Sequence, residues 1–552
     1  MNKINIKKIL ALGSLVSVLA LSGGTQAFGA LETLNENTGF NSVNNSYAAA
    51  ASVFVDLNQN IEAIANVAAA AVATGGNFVG GNTEGGELST GVVSLSGGFI
   101  NDTNVNVVNH TSPLFPDPWA ENNTTGAESE NNAVTELDSA VSAVNLNDVG
   151  LTNTADITAV SGNNVVEANT GVGTADTGAV DGAVSATNVL NSNFLAISSV
   201  VDGAMSSAIN DTTGADSENN AVVDVDTTVA ATSVNTAEIL NDIFSVMSSG
   251  GNIIDANTGP ASLMTGDVAS TTDVVNEFNS NETSVEFSAG GPVLSADNGT
   301  TGADSTNNAA ATATQAVGVT SSNTANVANV VSSTTTSGGN VIEANTGAVD
   351  AATGNASSSV LVDNGDTANT NTTNIVLGTG GASVSSSNDT TGAESENNAT
   401  ASLDLDVASV NTNDMSITNV VDTASYTGGN VVDSNTGPVD LATGDSDASA
   451  SVVNDINNNV TSVTVDSTAE ITAENSTTGA DSENNATSTV TSDIVLVNTN
   501  EAEVVNDVVV ESNTGGNVVE ANTGSSAVST GGASLIFDIS NTGNSNTTEV
   551  TE

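Results

Sequence analysis

One ten-residue phrase returns along this chain at a nearly fixed interval. It reads Thr-Thr-Gly-Ala-Glu-Ser-Glu-Asn-Asn-Ala over 390–399, and recurs at 124–133, 212–221, 300–309 and 477–486. A worn copy, Asn-Thr-Gly-Phe-Asn-Ser-Val-Asn-Asn-Ser over 37–46, opens the series. The glycines that mark it are Gly39, Gly126, Gly214, Gly302, Gly392 and Gly479, spaced by 87, 88, 88, 90 and 87 residues. A period held so closely marks a repeat array, in which each unit buries its apolar face on its neighbours.

Two further landmarks keep the period. Gly-Asn-Val-Val-Asp-Ser-Asn-Thr-Gly over 429–437 recurs at 163–171, 251–259, 339–347 and 516–524, with a degenerate form at 76–83. A Thr-Gly pair ends at Gly91, Gly178, Gly266, Gly354, Gly444 and Gly531. In the full copies the spacing from Asn430 to Gly437 and from Gly437 to Gly444 is seven residues. Three sides of that size make about 21–22 residues, and about four such groups fill one period. This predicts several coils per repeat: about 24 coils at ~4.8 Å, a rod roughly 115 Å long.

Between landmarks, runs such as Ser402–Val407, Val222–Val229 and Thr461–Ser467 alternate Val, Leu or Thr with polar residues, the pattern of half-buried strands. Gly and Asn supply the left-handed backbone positions that corners need. In the first repeat, the Ala-rich stretches 47–53 and 61–73 read as helical. The fold class is therefore all-β, a β-solenoid of six repeats of about 88 residues, with tandem Ig-like β-sandwiches as the alternative. Core chemistry favours the solenoid. Residues 300–389 contain no Phe, Tyr or Trp and 390–476 only Tyr426, whereas sandwich cores use large residues to fill the ~10 Å between sheets. High net charge and few aromatics also allow a disordered chain, but the Val/Ile alternation offers something to bury. The organisation is a leader at 1–27, an atypical N-terminal capping unit at 28–123, repeats at 124–211, 212–299, 300–389 and 390–476, and a shortened one at 477–552.

The leader has Lys3, Lys7 and Lys8, an apolar run from Ile9 to Leu21, and Thr-Gln-Ala ending at Ala27. This is the pattern of a secretory signal peptide. No Cys follows it, so a lipid anchor is excluded, and no later run approaches the ~20 apolar residues of a membrane span. The expected location is secreted or on the cell surface. Those three lysines are the only Lys or Arg in the chain. Their removal takes the net charge from −61 to −64. Such a chain forms no Lys or Arg ion pairs, repels nucleic acid, and needs cations, salt or a basic partner to neutralise it.

The candidate metal residues are the acids of the landmark phrase: Asp211, Asp216 and Glu218, then Asp389, Glu394 and Glu396, then Asp481 and Glu483. Carboxylates at alternate positions beside Asn and Thr oxygens suit a hard cation such as Ca²⁺. The spacing is not that of an EF-hand, Thr306 replaces an acid in one copy, and the plainer reading is a polar corner. Asn-x-Thr triplets beginning at Asn123, Asn210, Asn298, Asn388 and Asn475 match the glycosylation pattern, or serve turns. Pairs such as Asp404 with Asp406 and Asp224 with Asp226 read as a solvated strand face. The loop 110–119 holds the only His and Trp, His110 and Trp119, and three of the six prolines. Its Phe115 and Trp119 are the candidate adhesive contact, or a plug for the solenoid end.

No Cys nucleophile, His cluster or mature-chain cation is present, and every polar feature is copied along the chain. That argues against an enzyme, including a polysaccharide-cleaving β-helix. The Thr-Thr-Gly-Ala-Asp/Glu-Ser and Asn-Thr-Gly repeats, in an acidic, Cys-free, exported chain, resemble bacterial surface-layer proteins and repetitive adhesins over residues 37–552. The chain departs from familiar members in ending without a sorting signal and in having no visible anchoring module. The resemblance implies a structural or adhesive role outside the cell, with calcium as a stabiliser and self-association or a surface component as the partner.

Overall fold

The computed structural model describes residues 31–551, apart from 112–116, 200–204, 288–290, 379–380 and 467. The expected leader, 1–27, lies outside the described residues. Those residues contain no helix, and so none long and apolar enough to cross a membrane.

The first coil holds β1 (Leu31–Glu36), β2 (Val43–Ala73), β3 (Phe78–Gly80), β4 (Gly85–Ser89) and β5 (Val93–Thr111). Each later coil repeats this order, and equivalent strands form five parallel sheets of six strands. Thus β2 pairs with Glu130–Val160, then come Glu218–Ser248, Thr306–Thr336, Glu396–Tyr426 and Glu483–Asn513. The register puts Asn131 beside Asn219 and Asn219 beside Asn307, so one coil equals one repeat. The protein is a β-solenoid of six wide coils.

The expectation of about 24 narrow coils is therefore corrected. Six coils at ~4.8 Å make a stack only ~29 Å high, while a 31-residue β2-type strand has a contour length of ~100 Å. The seven-residue beat counts corners, not coils. It marks the crowded end of each coil, where strands as short as Val165–Glu167 and Val172–Asp176 turn the chain. Counted from its first strand, the last coil is whole, from Glu470–Ser476 to Ala533–Thr551, although its repeat counted from the landmark phrase is short.

The Ala-rich stretches 47–53 and 61–73 are not helical. Both lie inside β2, paired residue for residue with Glu130–Val160. Helix propensity is a weak preference; a neighbouring coil offering a full ladder of backbone partners overrides it.

Within a coil the β2-type strand forms one layer, and the β5-type and β1-type strands form the other. Val141, Leu195 and Ala120 of the second coil, one from each, share a single core cluster. Alternation is near-strict, inward residues buried and outward ones partly exposed, as in Glu130–Val160. The inward residues are mostly Val, Ile, Leu, Ala, Ser, Thr and Asn; Phe278 and Phe287 are the largest fully buried side chains.

The Asn residues organise that core. Asn60, Asn147, Asn235, Asn323, Asn413 and Asn500 stack in one column, facing Asn106, Asn193, Asn281, Asn371, Asn459 and Asn546 in the opposite layer. Asn147 Nδ2 donates to Asn193 Oδ1 (2.9 Å) and Asn235 Oδ1 (3.1 Å), and its Oδ1 accepts from Asn60 (3.1 Å) and Asn106 (2.8 Å). Every bond the amide can form along this zigzag is made. A second zigzag runs from Asn66 and Asn101 through Asn153 and Asn188. Between the two lies an apolar compartment containing Val149, Leu151, Leu190 and Phe278. Buried amides are tolerated in these two zigzags because each is bonded to the next.

Candidate functional site

The landmark phrase is the corner that leads into each β2-type strand. Ser217 Oγ donates to the Gly214 carbonyl (2.7 Å), and Asn219 Nδ2 donates to Ser217 Oγ (3.1 Å). Ser129 and Ser305 repeat the arrangement. Thr212 and Asp216 take left-handed φ of 55° and 57°, and Glu394 and Asp481 take 58°. The glycine answers to stacking: a Cβ on Gly126 would lie 2.5 Å from the Gly39 carbonyl carbon. Gly, Ser and Asn of the phrase are thus accounted for by the turn and by contact between coils.

Its acids sit on this corner in columns. Glu218 stands beside Glu130, and Glu396 beside Glu483, with Thr306 between Glu218 and Glu396. Asp216 and Glu394 donate their backbone N–H to the next coil, as parts of the corner. Asp211 and Asp389 end β1-type strands two coils apart. Asp389 accepts from Ser476 Oγ (2.6 Å), which holds its carboxyl below the usual range. Asp481 and Glu483 repeat the corner in the last coil. Among the described residues, no three His, Cys, Asp or Glu side chains gather into a group that could hold a metal ion.

The triplet asparagines Asn210, Asn298 and Asn388 are buried in a column of their own. Asn210 Nδ2 donates to Asn298 Oδ1 (2.9 Å), and Asn298 Nδ2 to Asn388 Oδ1 (2.8 Å). The nitrogen that would carry a glycan is thus a ladder donor in the core.

The outer wall carries a tighter cluster of carboxylates. Asp224 and Asp226 stand beside Glu136 and Asp138 on adjacent strands. Partial burial, with Asp226, Glu136 and Asp138 nearby, pushes the Asp224 carboxyl up to about 6. Tyr47 donates to Glu136, which with burial raises the phenol well above its ordinary value. Asp406 is likewise raised, by desolvation and by Asp404 and Asp493.

Phe115 lies outside the described residues. Trp119 is outward-facing in the second coil, 43% exposed, beside Glu32 and Ser207; it does not plug an end. His110 belongs to β5, not to a loop, and its ring stacks on Phe54 with centroids 3.7 Å apart. Burial lowers its pKa against the opposing pull of Asp56.

The end coils differ from the middle in ways the sequence reading missed. Asp56 and Glu62 face inward, in the columns of Ala143 and Val149, and Glu62 accepts from Thr103 of β5. In the last coil the same columns end in Leu496 and Ala502. The first coil also shows an apolar row on its outer wall, Val53, Val55, Leu57, Ile61 and Val67, 63–76% exposed. The phase of the alternation around Asn60 and Asn66 was the available signal: even-numbered residues of β2 point in, so its acids at 56 and 62 do too.

No family model matches this chain, and neither a curated protein nor a solved structure is similar to it.

Proposed function

We propose that this protein is an extracellular structural repeat protein that forms a rod, filament or layer on the cell surface. The observation that supports this best is the repeated stack: the same inward Asn columns and glycine corners run through six coils, and among the described residues no group of His, Cys, Asp or Glu converges to hold a metal ion. That is the construction of a scaffold, and the chain is not read as an enzyme. Its leader sequence is the basis for placing it outside the cell. Calcium or salt contributes by screening carboxylate columns that have no basic neighbour.

A second reading is favoured by the apolar row on the first coil. A contiguous exposed apolar strip is a contact surface, so an adhesin stalk with its contact in the N-terminal unit is the alternative. Brief protease treatment of intact cells, with antibody detection of the chain, tests the location. Loss of signal from unbroken cells is expected; full protection would overturn the reading. Changing Val53, Val55 and Leu57 to Ser separates the two roles. Lost attachment with surface structure retained favours the adhesin.

A further inference from the structure

We propose that copies of this chain stack head to tail, the last coil of one on the first coil of the next, and that the inward-facing charges of Asp56 and Glu62 keep the joint open. The inference rests on the reading of a surface scaffold and names its partner as a second copy.

The amide zigzags set the polarity. In the inward columns each Asn Nδ2 donates toward the following coil, as in Asn44 to Asn131, Asn323 to Asn413 and Asn457 to Asn544. Among the described residues, the first coil therefore ends in unmet acceptors, the Oδ1 atoms of Asn60 and Asn66. The last coil ends in unmet donors, the Nδ2 atoms of Asn541 and Asn544. Head-to-tail contact matches donors to acceptors in the register already used between coils. Tail-to-tail contact would set donors against donors.

The glycines supply an independent argument. Gly126 and Gly178 are glycines because a Cβ there would press on the Gly39 and Gly91 backbone of the preceding coil. Gly39 and Gly91 have nothing within 4 Å of a built Cβ, and neither has positive φ. At the other end, Gly428 is hemmed in by Gly515, while a Cβ on Gly515 meets only Asn513 Oδ1 at 3.5 Å. The first coil has lost half of the landmark phrase yet keeps the glycine that only a preceding coil would require.

What opposes the joint is equally specific. Inward-pointing charge is how a sheet edge is protected from pairing. In the stack, Asp56 would meet Leu496 and Glu62 would meet Ala502 of the preceding copy, apolar partners that cannot compensate a carboxylate. Facing Asp56 within its own coil is His110, and facing Glu62 is Thr103; coil two presents only Ala143 and Val149 to them. Apart from Asp56, Glu62 and His110, no described inward position of either end coil is ionisable. Asp56→Asn and Glu62→Gln would keep the shape of both side chains without the charge that the joint cannot compensate.

Sedimentation velocity and electron microscopy of the purified chain and of its Asp56→Asn, Glu62→Gln variant, both at pH 7, test this. Single chains are expected of the wild type, and of the variant fibres with an axial repeat of ~29 Å per copy. Gly39→Val with Gly91→Val should leave the single chain's β spectrum and melting unchanged, since both sites face open space. The same pair should raise the critical concentration for fibres at least tenfold. Amide-variant chains that stay single would overturn the inference, as would their assembly at an unchanged concentration once the two glycine substitutions are added. A chain found on the cell surface that never stacks sinks this inference alone. One that stacks but is never exported sinks the scaffold reading alone.

Discussion

Asp224 shows how a chain with no Lys or Arg among its described residues handles its acids. It is partly buried on the outer wall among Asp226, Glu136 and Asp138, and its carboxyl is pushed up to about 6 from 3.8. Between those values the folded chain binds a proton that the unfolded chain does not. Stability therefore falls as pH rises through that window. Asp224→Asn is expected to raise the melting temperature at pH 7, by about 1 kcal/mol of stability after solvent screening, and to change it little at pH 4. A melting series over pH 4–7 checks it. The buried polar columns show the opposite economy: where Ser233 interrupts the column of Asn58 and Asn145, Asn145 Nδ2 and Ser233 Oγ are both left without partners among the described residues. At that point of the column the serine does not reach the Asn145 amide; serines bridge coils elsewhere by crossing between layers, as Ser333 does to Ser270 (3.0 Å).

At the scale of the element, the strands were the most legible part of the sequence. Alternation in 402–407 and 222–229 does mark half-buried strands, and the landmark glycines do mark corners. The number of corners per coil was not legible. The seven-residue beat from Asn430 to Gly444 comes from one crowded end, and nothing local says that 31 residues then run as a single strand. Asn at one phase of the alternation, as at 145, 147 and 153, was the available clue, because inward Asn needs an Asn one coil away. The candidate metal residues were found as an acidic corner, but geometry that would gather them could not be read from spacing alone. The glycine columns give a sharp contrast. Gly250→Ala places a Cβ against the Gly338 carbonyl, whereas Gly515→Ala meets only Asn513 Oδ1 at 3.5 Å. Thermal melting should show Gly250→Ala destabilised by about 3 kcal/mol or more, with Gly515→Ala within about 0.5 kcal/mol of wild type. Equal losses would mean that contact between coils is not what requires glycine.

At the scale of the molecule, the coils are interchangeable in register, since each contacts its neighbours through the same columns. Excising residues 301–390 in phase joins Thr300 to Thr391 and would bring Glu218–Ser248 beside Glu396–Tyr426. The five-coil chain is expected to keep its β circular dichroism and to melt cooperatively, as a stack of near-identical interfaces should. Excision of half that length would place Asn against apolar columns and should abolish the β signal.

The spacing of partners along the chain also governs how such a molecule comes into being. A strand pairs with residues 87 to 90 positions away, so the opening segment has no ladder to join until roughly a whole further coil has emerged. Closing so large a loop makes the first pairing slow. Thereafter each finished coil is a mould, offering its successor a full edge of backbone groups and a row of waiting amides. Assembly then advances in quanta of one coil, in the order in which the chain is threaded out, and its early stages are the ones most exposed to interruption.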